Sequence, residues 1–270
     1  MEYKVIAMDL DGTLNNDEKV ITPRTREALM QAQEQGVRLV LASARPTPGL
    51  YKESRILELD KFGGILMAYN GGRICAADTG ETLFETCMPR ELASRVLRHL
   101  EGFPVTPILD DGRQFYVQDK HGYMVDYECR NNQMTCTEVE NLADFISFSP
   151  IKILMSGREE ELPGLIGEIE APFEDKLHVV MTAPFYLEVI PRNIHKGQGL
   201  AEVCRLLDVM PSQVIAFGDA QNDIPMIQRA GLGVAMGNAC KELKEAADRV
   251  TGSNNEDGIA QVLEELWRMA

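Results

Sequence analysis

Residues 5–14 read VIAMDLDGTL, four apolar residues followed by a short segment of acidic and small residues. A continuous apolar run of this kind is typical of a strand that is covered on both faces. The segment after it predicts a helix, with Thr22 as the N-cap, Pro23 at the first helical position and Gly36 at the end. The first 36 residues therefore predict a buried strand, a loop with acidic side chains and a helix.

Two further segments show the same association of buried strand, polar residue and helix. Residues 37–41 lead to Ser43, and residues 214–217 lead to Gly218 and Asp219 after a predicted helix from about Gly197 to Leu207. Strands that alternate with helices predict an α/β fold with a doubly wound parallel sheet. Ligands of such sheets bind beyond the carboxyl ends of the strands. We therefore expect a Rossmann-like core with its site at that edge.

The middle of the chain has a different pattern. Its apolar runs follow one another across turns such as Asp110-Asp111-Gly112, and helical patterns lie near residues 90–100 and 160–169. The predicted strands are residues 105–109, 114–118, 151–155, 177–181 and 185–190. Such strands predict an antiparallel sheet with helices on one face. We expect an α+β cap domain at residues 84–190, inserted into a discontinuous core of residues 1–83 and 191–270.

The composition restricts the class of protein. The 270 residues carry a formal net charge of −15 and their basic residues are dispersed, so a nucleic-acid partner is not expected. No apolar run of about 18 residues and no secretion signal is recognisable, and the six cysteines form no C-x-x-C pair. We therefore expect a cytoplasmic protein with reduced thiols and no membrane partner, either a monomer or a homodimer.

Asp9 and Asp11, which follow the first strand, are the main candidates for chemistry. Residues two apart in an extended segment project to the same side, so both carboxylates can face one ligand. One carboxylate can attack phosphorus to give an acyl phosphate, and the other can protonate the leaving oxygen and then activate water. Gly12 allows the sharp turn that brings backbone amides near a phosphate. The alternative interpretation is an ordinary Asp-Gly turn.

A second acidic segment, GDAQND at residues 218–223, follows the third predicted strand. Asp219 and Asp223 can bind a divalent cation, which also relieves repulsion between carboxylates, and Asn222 can hold a phosphate or ligand oxygen. Mg²⁺ is favoured over Zn²⁺ because the segment offers oxygen ligands and no Cys or His beside them. The alternative interpretation is an acidic helix N-terminus that Asp223 caps.

Four further residues are candidates on weaker grounds. Lys196 begins the helix before the third strand, where its ammonium can neutralise a phosphate and the nucleophile together. Ser43 and Thr13 can each donate a hydroxyl hydrogen to a phosphate oxygen, although each is also a typical cap. The alternative interpretation is a solvated helix start for Lys196 and a surface ion pair for Arg45, and Asn70-Gly71 predicts a turn in the first place.

Six segments of the chain occur in the order and spacing of one enzyme family. They read DLDGTL at residues 9–14, LASARP at 41–46, HKG at 195–197, GDAQND at 218–223, AMGNA at 235–239 and NNEDG at 254–258. In these segments the chain resembles the haloacid dehalogenase-like phosphatases of the Cof type, and among them a bacterial sugar phosphatase. The resemblance covers nearly the whole chain.

The resemblance implies a role for each matching residue. Asp9 would be the nucleophile, Asp11 the acid/base and Lys196 the third catalytic residue. The implied Mg²⁺ ligands are Asp9, Asp11 (through its main-chain carbonyl), Asp219 and Asp223. The implied phosphate or substrate contacts are Leu10, Gly12, Thr13, Ser43, Arg45 and Asn222. The insert would be a mobile cap that excludes water and chooses the substrate.

Two positions depart from the family pattern. Ala44 stands where the family usually has Gly, so a loop that needs a positive φ there would cost about 1 kcal/mol. Asn15 stands where a second Leu is common. Neither residue supplies a catalytic atom, so both departures concern loop shape more than reaction type.

The expected function is hydrolysis of small phosphomonoesters, with sugar phosphates as the substrates that the resemblance suggests. Family members also act on flavin mononucleotide and on pyridoxal phosphate. A phosphomutase or phosphotransferase would share Asp9 but pass its phosphate to a sugar hydroxyl, and a bisphosphorylated sugar would reveal it. A binding protein that has lost turnover would release no phosphate at all.

Overall fold

The computed structural model describes residues 3–269, without the side chain of Met269. The chain forms two compact units, which we name the core and the insert. The core consists of the chain up to Glu85 and from His195 onwards, and the insert is Thr86–Ile194.

The helices and strands follow in chain order. The first part of the core contains β1 (Val5–Asp9), α1 (Pro23–Glu34), β2 (Arg38–Ala42), α2 (Tyr51–Ile56), β3 (Ile65–Ala68), β4 (Arg73–Ala76) and β5 (Thr82–Glu85). The insert contains α3 (Arg90–Leu100), β6 (Thr106–Asp110), β7 (Phe115–Val117), α4 (Val125–Asn132), β8 (Cys136–Glu138), α5 (Leu142–Phe145), β9 (Ile153–Ser156), α6 (Leu162–Glu170), β10 (Leu177–Ala183) and β11 (Tyr186–Pro191). The second part of the core contains α7 (Lys196–Leu207), β12 (Val214–Gly218), α8 (Ile224–Ile227), β13 (Leu232–Ala235), α9 (Lys241–Ala246), β14 (Arg249–Val250) and α10 (Gly258–Met269).

The core sheet has eight strands in the order β14-β13-β12-β1-β2-β3-β4-β5. The strands from β14 to β3 are parallel, whereas β4 and β5 extend the sheet antiparallel. All five residues of β1 are buried, and Val5 pairs with Val214 on one side and with Arg38 on the other. The predicted α/β fold with a parallel sheet is confirmed. Since β1, β2 and β12 run in the same direction, the segments after them leave from one edge.

Local capping explains where α1 begins and ends. The Thr22 side chain accepts a hydrogen bond from the Thr25 amide at 3.3 Å, and Pro23 occupies the first turn, as predicted. The helix ends at Glu34, and Gly36 reverses the chain with a φ of +86°. The residues that α1 buries are spaced three or four apart, so they form one face of the helix: Thr25, Ala28, Leu29, Ala32 and Gln33.

The insert sheet has six strands in the order β10-β11-β9-β6-β7-β8, antiparallel except for the β7–β8 pair. The neighbouring residues Ile108 and Leu109 belong to different apolar clusters, which therefore lie on opposite faces of the sheet. Helices α3 and α6 pack in one cluster, while Val125 of α4 packs in the other. The two helices that the sequence predicts, near residues 90–100 and 160–169, therefore share one face as expected. The prediction of helices on one face only was wrong for α4, which the sequence did not predict because its segment has no strong apolar period.

The structure also bears on the expectations about the cysteines and about membrane-spanning helices. All six cysteines are free thiols, in agreement with the scattered spacing. Of the helices within residues 3–269, none combines the length and apolarity that a membrane crossing needs.

Candidate active site

Three carboxylates come together at the edge of the core sheet where β1 and β12 end. Asp9 is the last residue of β1, and Asp219 and Asp223 follow β12. One oxygen from each lies within 4.8 Å of the others, and among the described residues this is the group that can hold a metal ion. Asp9 and Asp223 are buried and Asp219 is half-buried. The parallel pairing of β1 with β12 therefore joins residues that are more than 200 positions apart.

The Lys196 ammonium lies among these carboxylates. Its Nζ donates to Asp9 Oδ1 and, at 2.5 Å, to Asp223 Oδ1. The side chain of Lys196 is completely buried, at the first position of α7, and His195 caps that helix by accepting from the Gln198 amide. Burial opposes the charged form, but the Asp223 and Asp9 carboxylates outweigh it and raise the pKa of Lys196. Lys196 is therefore a buried cation and not a solvated helix start.

The three carboxylates carry more negative charge than the single Lys196 ammonium can offset. Burial, together with the neighbouring Asp223 and Asp219 carboxylates, raises the pKa of Asp9 well above its ordinary value. Burial and the Asp223 carboxylate raise the pKa of Asp219 to about 6. Each shift reflects first the cost of burying a negative charge, and then repulsion from the neighbouring carboxylates. An all-oxygen donor set with surplus negative charge fits a hard divalent cation such as Mg²⁺.

Asp223 has a structural function as well. Its Oδ2 accepts hydrogen bonds from the backbone amides of Asp219 at 3.1 Å and Ala220 at 3.0 Å. Asp223 occupies the N-cap position of α8, but its side chain makes no cap hydrogen bond to that helix. One carboxylate oxygen holds the preceding loop and the other binds Lys196. Gly218 allows this approach, since a Cβ built there would lie 2.5 Å from the Asp223 Cβ.

Asp219 is held by the loop after β1. The Thr13 hydroxyl donates to Asp219 Oδ1 at 2.7 Å. Gly12 has a φ of +86°, and a Cβ built on it would lie 2.4 Å from Asp219 Oδ2. Both the backbone conformation and the lack of space for a side chain therefore require glycine at this position. Asn238, which was not among the predicted site residues, donates to the Gly12 carbonyl at 2.7 Å. Thr13 thus contacts a carboxylate, where the sequence predicted a phosphate contact.

The Asp11 carboxylate is bound by two cations. Arg45 donates from Nε to Oδ2 at 2.8 Å and from Nη2 to Oδ1 at 2.7 Å, and Lys19 donates from Nζ to Oδ1 at 2.6 Å. Burial opposes the ionised form, but Arg45 and Lys19 outweigh it and lower the pKa of Asp11. Among the described residues, the Asp11 carboxylate is not part of the three-carboxylate group. Arg45 therefore contacts Asp11, a pairing that the sequence did not indicate.

Ser43 and Asn222 are connected through Asn70. The Asn70 amide donates to the Ser43 carbonyl at 2.8 Å, and Asn222 Nδ2 donates to Asn70 Oδ1 at 3.0 Å. The Ser43 hydroxyl accepts from the Arg45 amide at 3.2 Å. Asn70 has a left-handed backbone with a φ of 55°, and its Asn-Gly sequence indicated this turn but not its place in the site. Ala44 is not among the residues of positive φ, so its replacement of glycine causes no strain.

Leu10 and Asn15 fix the loop that follows β1. Leu10 is buried, and its carbonyl accepts from the Asn15 amide at 2.8 Å. Asn15 is buried too, and its side chain donates to Glu53 Oε1 at 3.1 Å, while its carbonyl accepts from Asn254. The polar residue at this position is therefore hydrogen-bonded in the interior, where the family often has Leu.

Comparisons with known proteins agree on one family. The family described as haloacid dehalogenase-like hydrolase matches residues 6–263. YcsE of Bacillus subtilis, a 5-amino-6-(5-phospho-D-ribitylamino)uracil phosphatase, is 30% identical over 97% of this chain and 95% of its own length.

Two solved structures extend the agreement to the fold. A haloacid dehalogenase-like hydrolase from Bacteroides thetaiotaomicron superposes with a TM-score of 0.92 at 36% identity, covering 98% of this chain and 99% of its own. The subclass IIB sugar phosphatase BT4131 superposes with a TM-score of 0.81 at 25% identity, covering 97% of this chain and 98% of its own. The chain therefore belongs to the haloacid dehalogenase-like hydrolases, and within that family to the phosphatases.

Proposed function

We propose that the protein hydrolyses phosphomonoesters of small polyhydroxylated molecules, in the first place sugar phosphates, through a phosphorylated Asp9 and with Mg²⁺ as its cofactor. One observation carries the proposal. The Lys196 ammonium contacts Asp9 inside a group of three carboxylates whose oxygens lie within 4.8 Å of one another. A cation beside a buried carboxylate offsets the charge that phosphoryl transfer brings together at this point.

The proposed reaction has two steps. In the first, an oxygen of Asp9 attacks phosphorus, the bond from phosphorus to the leaving oxygen breaks, and the leaving oxygen takes a proton from Asp11. In the second, water attacks the same phosphorus, a proton passes from water to Asp11, and the bond from phosphorus to Asp9 breaks. Phosphate leaves, and the Asp9 carboxylate is restored with Asp11 again protonated.

The other residues hold these groups in place. Lys196 offsets the charge on Asp9 and on the phosphoryl oxygens, and the Ser43 hydroxyl and Asn222 amide bind the phosphate, with Leu10 and Gly12 beside it. Thr13 orients Asp219 through its hydroxyl, which the 2.7 Å hydrogen bond supports. The proposed role of Arg45 is to orient Asp11.

The proposed Mg²⁺ ligands are the carboxylates of Asp9, Asp219 and Asp223 and the main-chain carbonyl of Asp11. The bound ion would supply positive charge that offsets both the carboxylates and the phosphoryl oxygens. The oxygen-only donor set and the raised pKa of Asp9 and Asp219 support this choice of cation.

Two relatives support the substrate class. The name of YcsE describes a substrate with a phosphorylated ribityl chain, and BT4131 is described as a sugar phosphatase. Both descriptions place the phosphate on a polyhydroxylated carbon chain, and we propose the same class here. We further propose that residues 84–190 act as the cap that chooses among such substrates. Flavin mononucleotide and pyridoxal phosphate are the alternatives within a phosphatase function.

Phosphate release from a panel of sugar phosphates, flavin mononucleotide, pyridoxal phosphate and p-nitrophenyl phosphate tests the proposal. We expect release with Mg²⁺, none after chelation, and the highest kcat/KM with sugar phosphates. Acid quenching with ³²P-labelled substrate should leave label on the protein, and Asp9→Asn should lose both label and turnover while it keeps its thermal unfolding transition. Wild-type rates in Asp9→Asn exclude Asp9 as nucleophile, and transfer of label to a second sugar hydroxyl identifies a phosphotransferase instead.

A further inference from the structure

A left-handed turn follows β3 at the edge of the core sheet where the candidate site lies. Asp9 pairs with Ala42 and Ala42 pairs with Met67, so β1, β2 and β3 end at the same level of the sheet. The turn after β3 contains Tyr69 at a φ of 53° and Asn70 at a φ of 55°. A bulky residue is an outlier in this region, and such strain persists only where the surroundings hold it, often at functional sites.

Contacts with two other segments of the core hold this turn in place. The amide of Asn70 donates to the Ser43 carbonyl at 2.8 Å. On the other side the turn packs against the first turn of α7, because a Cβ built on Gly71 would lie 2.7 Å from the Cα of Gly199 and 3.3 Å from the His195 carbonyl oxygen. The turn is therefore fixed between the loop after β2 and the helix that carries the buried ammonium of the site.

The side chain of Asn70 is hydrogen-bonded through its oxygen only. Its Oδ1 accepts from Asn222 Nδ2 at 3.0 Å. Its Nδ2 has no hydrogen-bond partner among the described residues, and this nitrogen is not sealed from solvent. The residue as a whole is only 6% exposed. A nearly buried side chain thus presents an N–H donor that an acceptor atom of a ligand can satisfy.

We propose that Asn70 is a phosphate-binding residue, which donates a hydrogen bond from Nδ2 to a phosphate oxygen of the substrate. Its hydrogen-bonded neighbours Ser43 and Asn222 are the residues that the proposed function assigns to the phosphate, so a donor between them is placed for the same group. Asparagine suits this position because it tolerates a left-handed backbone and also carries an amide donor. Asn70 lies outside the six family segments. The inference rests on the proposed function for the place of the phosphate.

Asn70→Gly tests the proposal, because glycine also adopts a left-handed backbone and the side chain is lost without added strain. We expect the dissociation constant of inorganic phosphate, measured by calorimetry with Mg²⁺, to rise about tenfold, since a hydrogen bond to a charged group is lost. The kcat/KM of every phosphomonoester in the panel should fall by at least a similar factor. A loss confined to some substrates, with unchanged phosphate affinity, would place the side chain at the leaving group and overturn the assignment.

Asn70→Asp is a second variant, which keeps the shape of the side chain. Its carboxylate can still accept a hydrogen bond from Asn222, but it has no N–H to donate and it repels phosphate. We expect phosphate affinity to fall at least as far as in Asn70→Gly. Wild-type phosphate affinity in this variant contradicts a direct contact.

Asp208→Gly is the matched control. Asp208 is exposed and has a φ of 53°, and it follows the C-terminal end of α7, whereas Lys196 begins that helix. The same replacement is thus made at a left-handed position away from the site. It should leave phosphate affinity and kcat/KM at wild-type values. A loss equal to that in Asn70→Gly would show that a glycine in the backbone, and not the missing amide, causes the effect.

A double-variant cycle separates direct binding from an effect through Asn222. If Asn70 itself binds the phosphate, Asn70→Gly should weaken phosphate binding further in an Asn222→Ala background. The kcat/KM serves as the measure where binding is too weak for calorimetry. If Asn70→Gly has no further effect in that background, Asn70 only holds Asn222 in place and the inference is wrong.

Phosphate binding is measured without turnover, so this inference and the proposed function can fail separately. If the protein hydrolyses the panel through Asp9 and Asn70→Gly binds phosphate normally, the role of Asn70 fails alone. If phosphate binding depends on Asn70 but no substrate releases phosphate, the proposed hydrolysis fails and the role of Asn70 stands. An absence of phosphate binding by the wild-type protein with Mg²⁺ would also overturn the inference.

Discussion

Lys196 Nζ lies 2.5 Å from Asp223 Oδ1, and neither side chain is exposed to solvent. The same ammonium donates to Asp9, so one cation joins the end of β1, the start of α7 and the loop after β12. A buried charge of this kind costs desolvation energy unless its partners remain in place. Folding of the core and assembly of the site therefore depend on the same contacts.

Replacement of Lys196 by Met should affect stability and activity together. Because two buried carboxylates lose their cation, the free energy of unfolding should fall by about 3–5 kcal/mol. Phosphate release should fall to background. Urea unfolding without Mg²⁺ measures the first effect, and a phosphate assay the second. Lys241→Met, which removes a highly exposed ammonium, should change stability by less than about 0.5 kcal/mol. Wild-type stability in Lys196→Met contradicts the assigned contacts.

Added Mg²⁺ should stabilise the protein through the carboxylate group. At 100 times its dissociation constant, a ligand that binds only the folded state adds about 2.7 kcal/mol, which appears as a higher Tm. Asp219→Asn should abolish most of this increase, because one charged ligand is lost. The control Asp60→Asn changes an exposed carboxylate and should keep the full increase. An unchanged Mg²⁺ response in Asp219→Asn would exclude Asp219 as a ligand.

The edge of the core that carries the candidate site could be predicted because its residues are adjacent to strong local patterns. Asp9 and Asp219 each follow an apolar run, and parallel strands bring the ends of such runs to one edge. The sequence also predicts that a helix begins near Lys196. Local pattern thus identified the acidic residues and the lysine that come together.

The contacts that the sequence did not reveal arise between loops. Lys19 lies in a polar turn without periodicity, and Asn70 reads as an ordinary Asn-Gly turn, so neither has a local signal for its tertiary partner. Arg45 belongs to a predicted segment, but its contact with Asp11 depends on how two loops fold against each other. The helix α4 was missed for a similar reason, since its segment lacks a clear apolar face.

Gly12→Ala should impair the site beyond its cost in backbone strain. Gly12 and Gly36 share a φ of +86°, but a Cβ meets Asp219 Oδ2 at 2.4 Å in the first case and no atom within 4 Å in the second. Both alanine variants should lose about 1 kcal/mol of stability. Only Gly12→Ala should also lower kcat and weaken the Mg²⁺-dependent rise in Tm. Equal kinetics in the two variants would show that the contact with Asp219 is unimportant.

The insert contains its own buried ion pair, and this allows a test that is independent of catalysis in the core. Lys152 Nζ lies 2.6 Å from Glu188 Oε1, and both side chains are at most 5% exposed. Burial opposes the charged form of Lys152, but Glu188 and Glu128 outweigh it and raise the pKa of the ammonium. Lys152→Met leaves the Glu188 carboxylate without its partner, so the free energy of unfolding should fall by about 3–5 kcal/mol.

The matched control removes both charges. In Lys152→Met/Glu188→Leu, apolar groups of similar size replace the pair, and stability should return to within about 1–2 kcal/mol of the wild type, because the desolvation cost disappears together with the attraction. Chemical denaturation of the three proteins near neutral pH, where the raised pKa keeps Lys152 charged, measures the difference. If the double variant is as unstable as Lys152→Met, then the unpaired Glu188 carboxylate is not the cause of the lost stability.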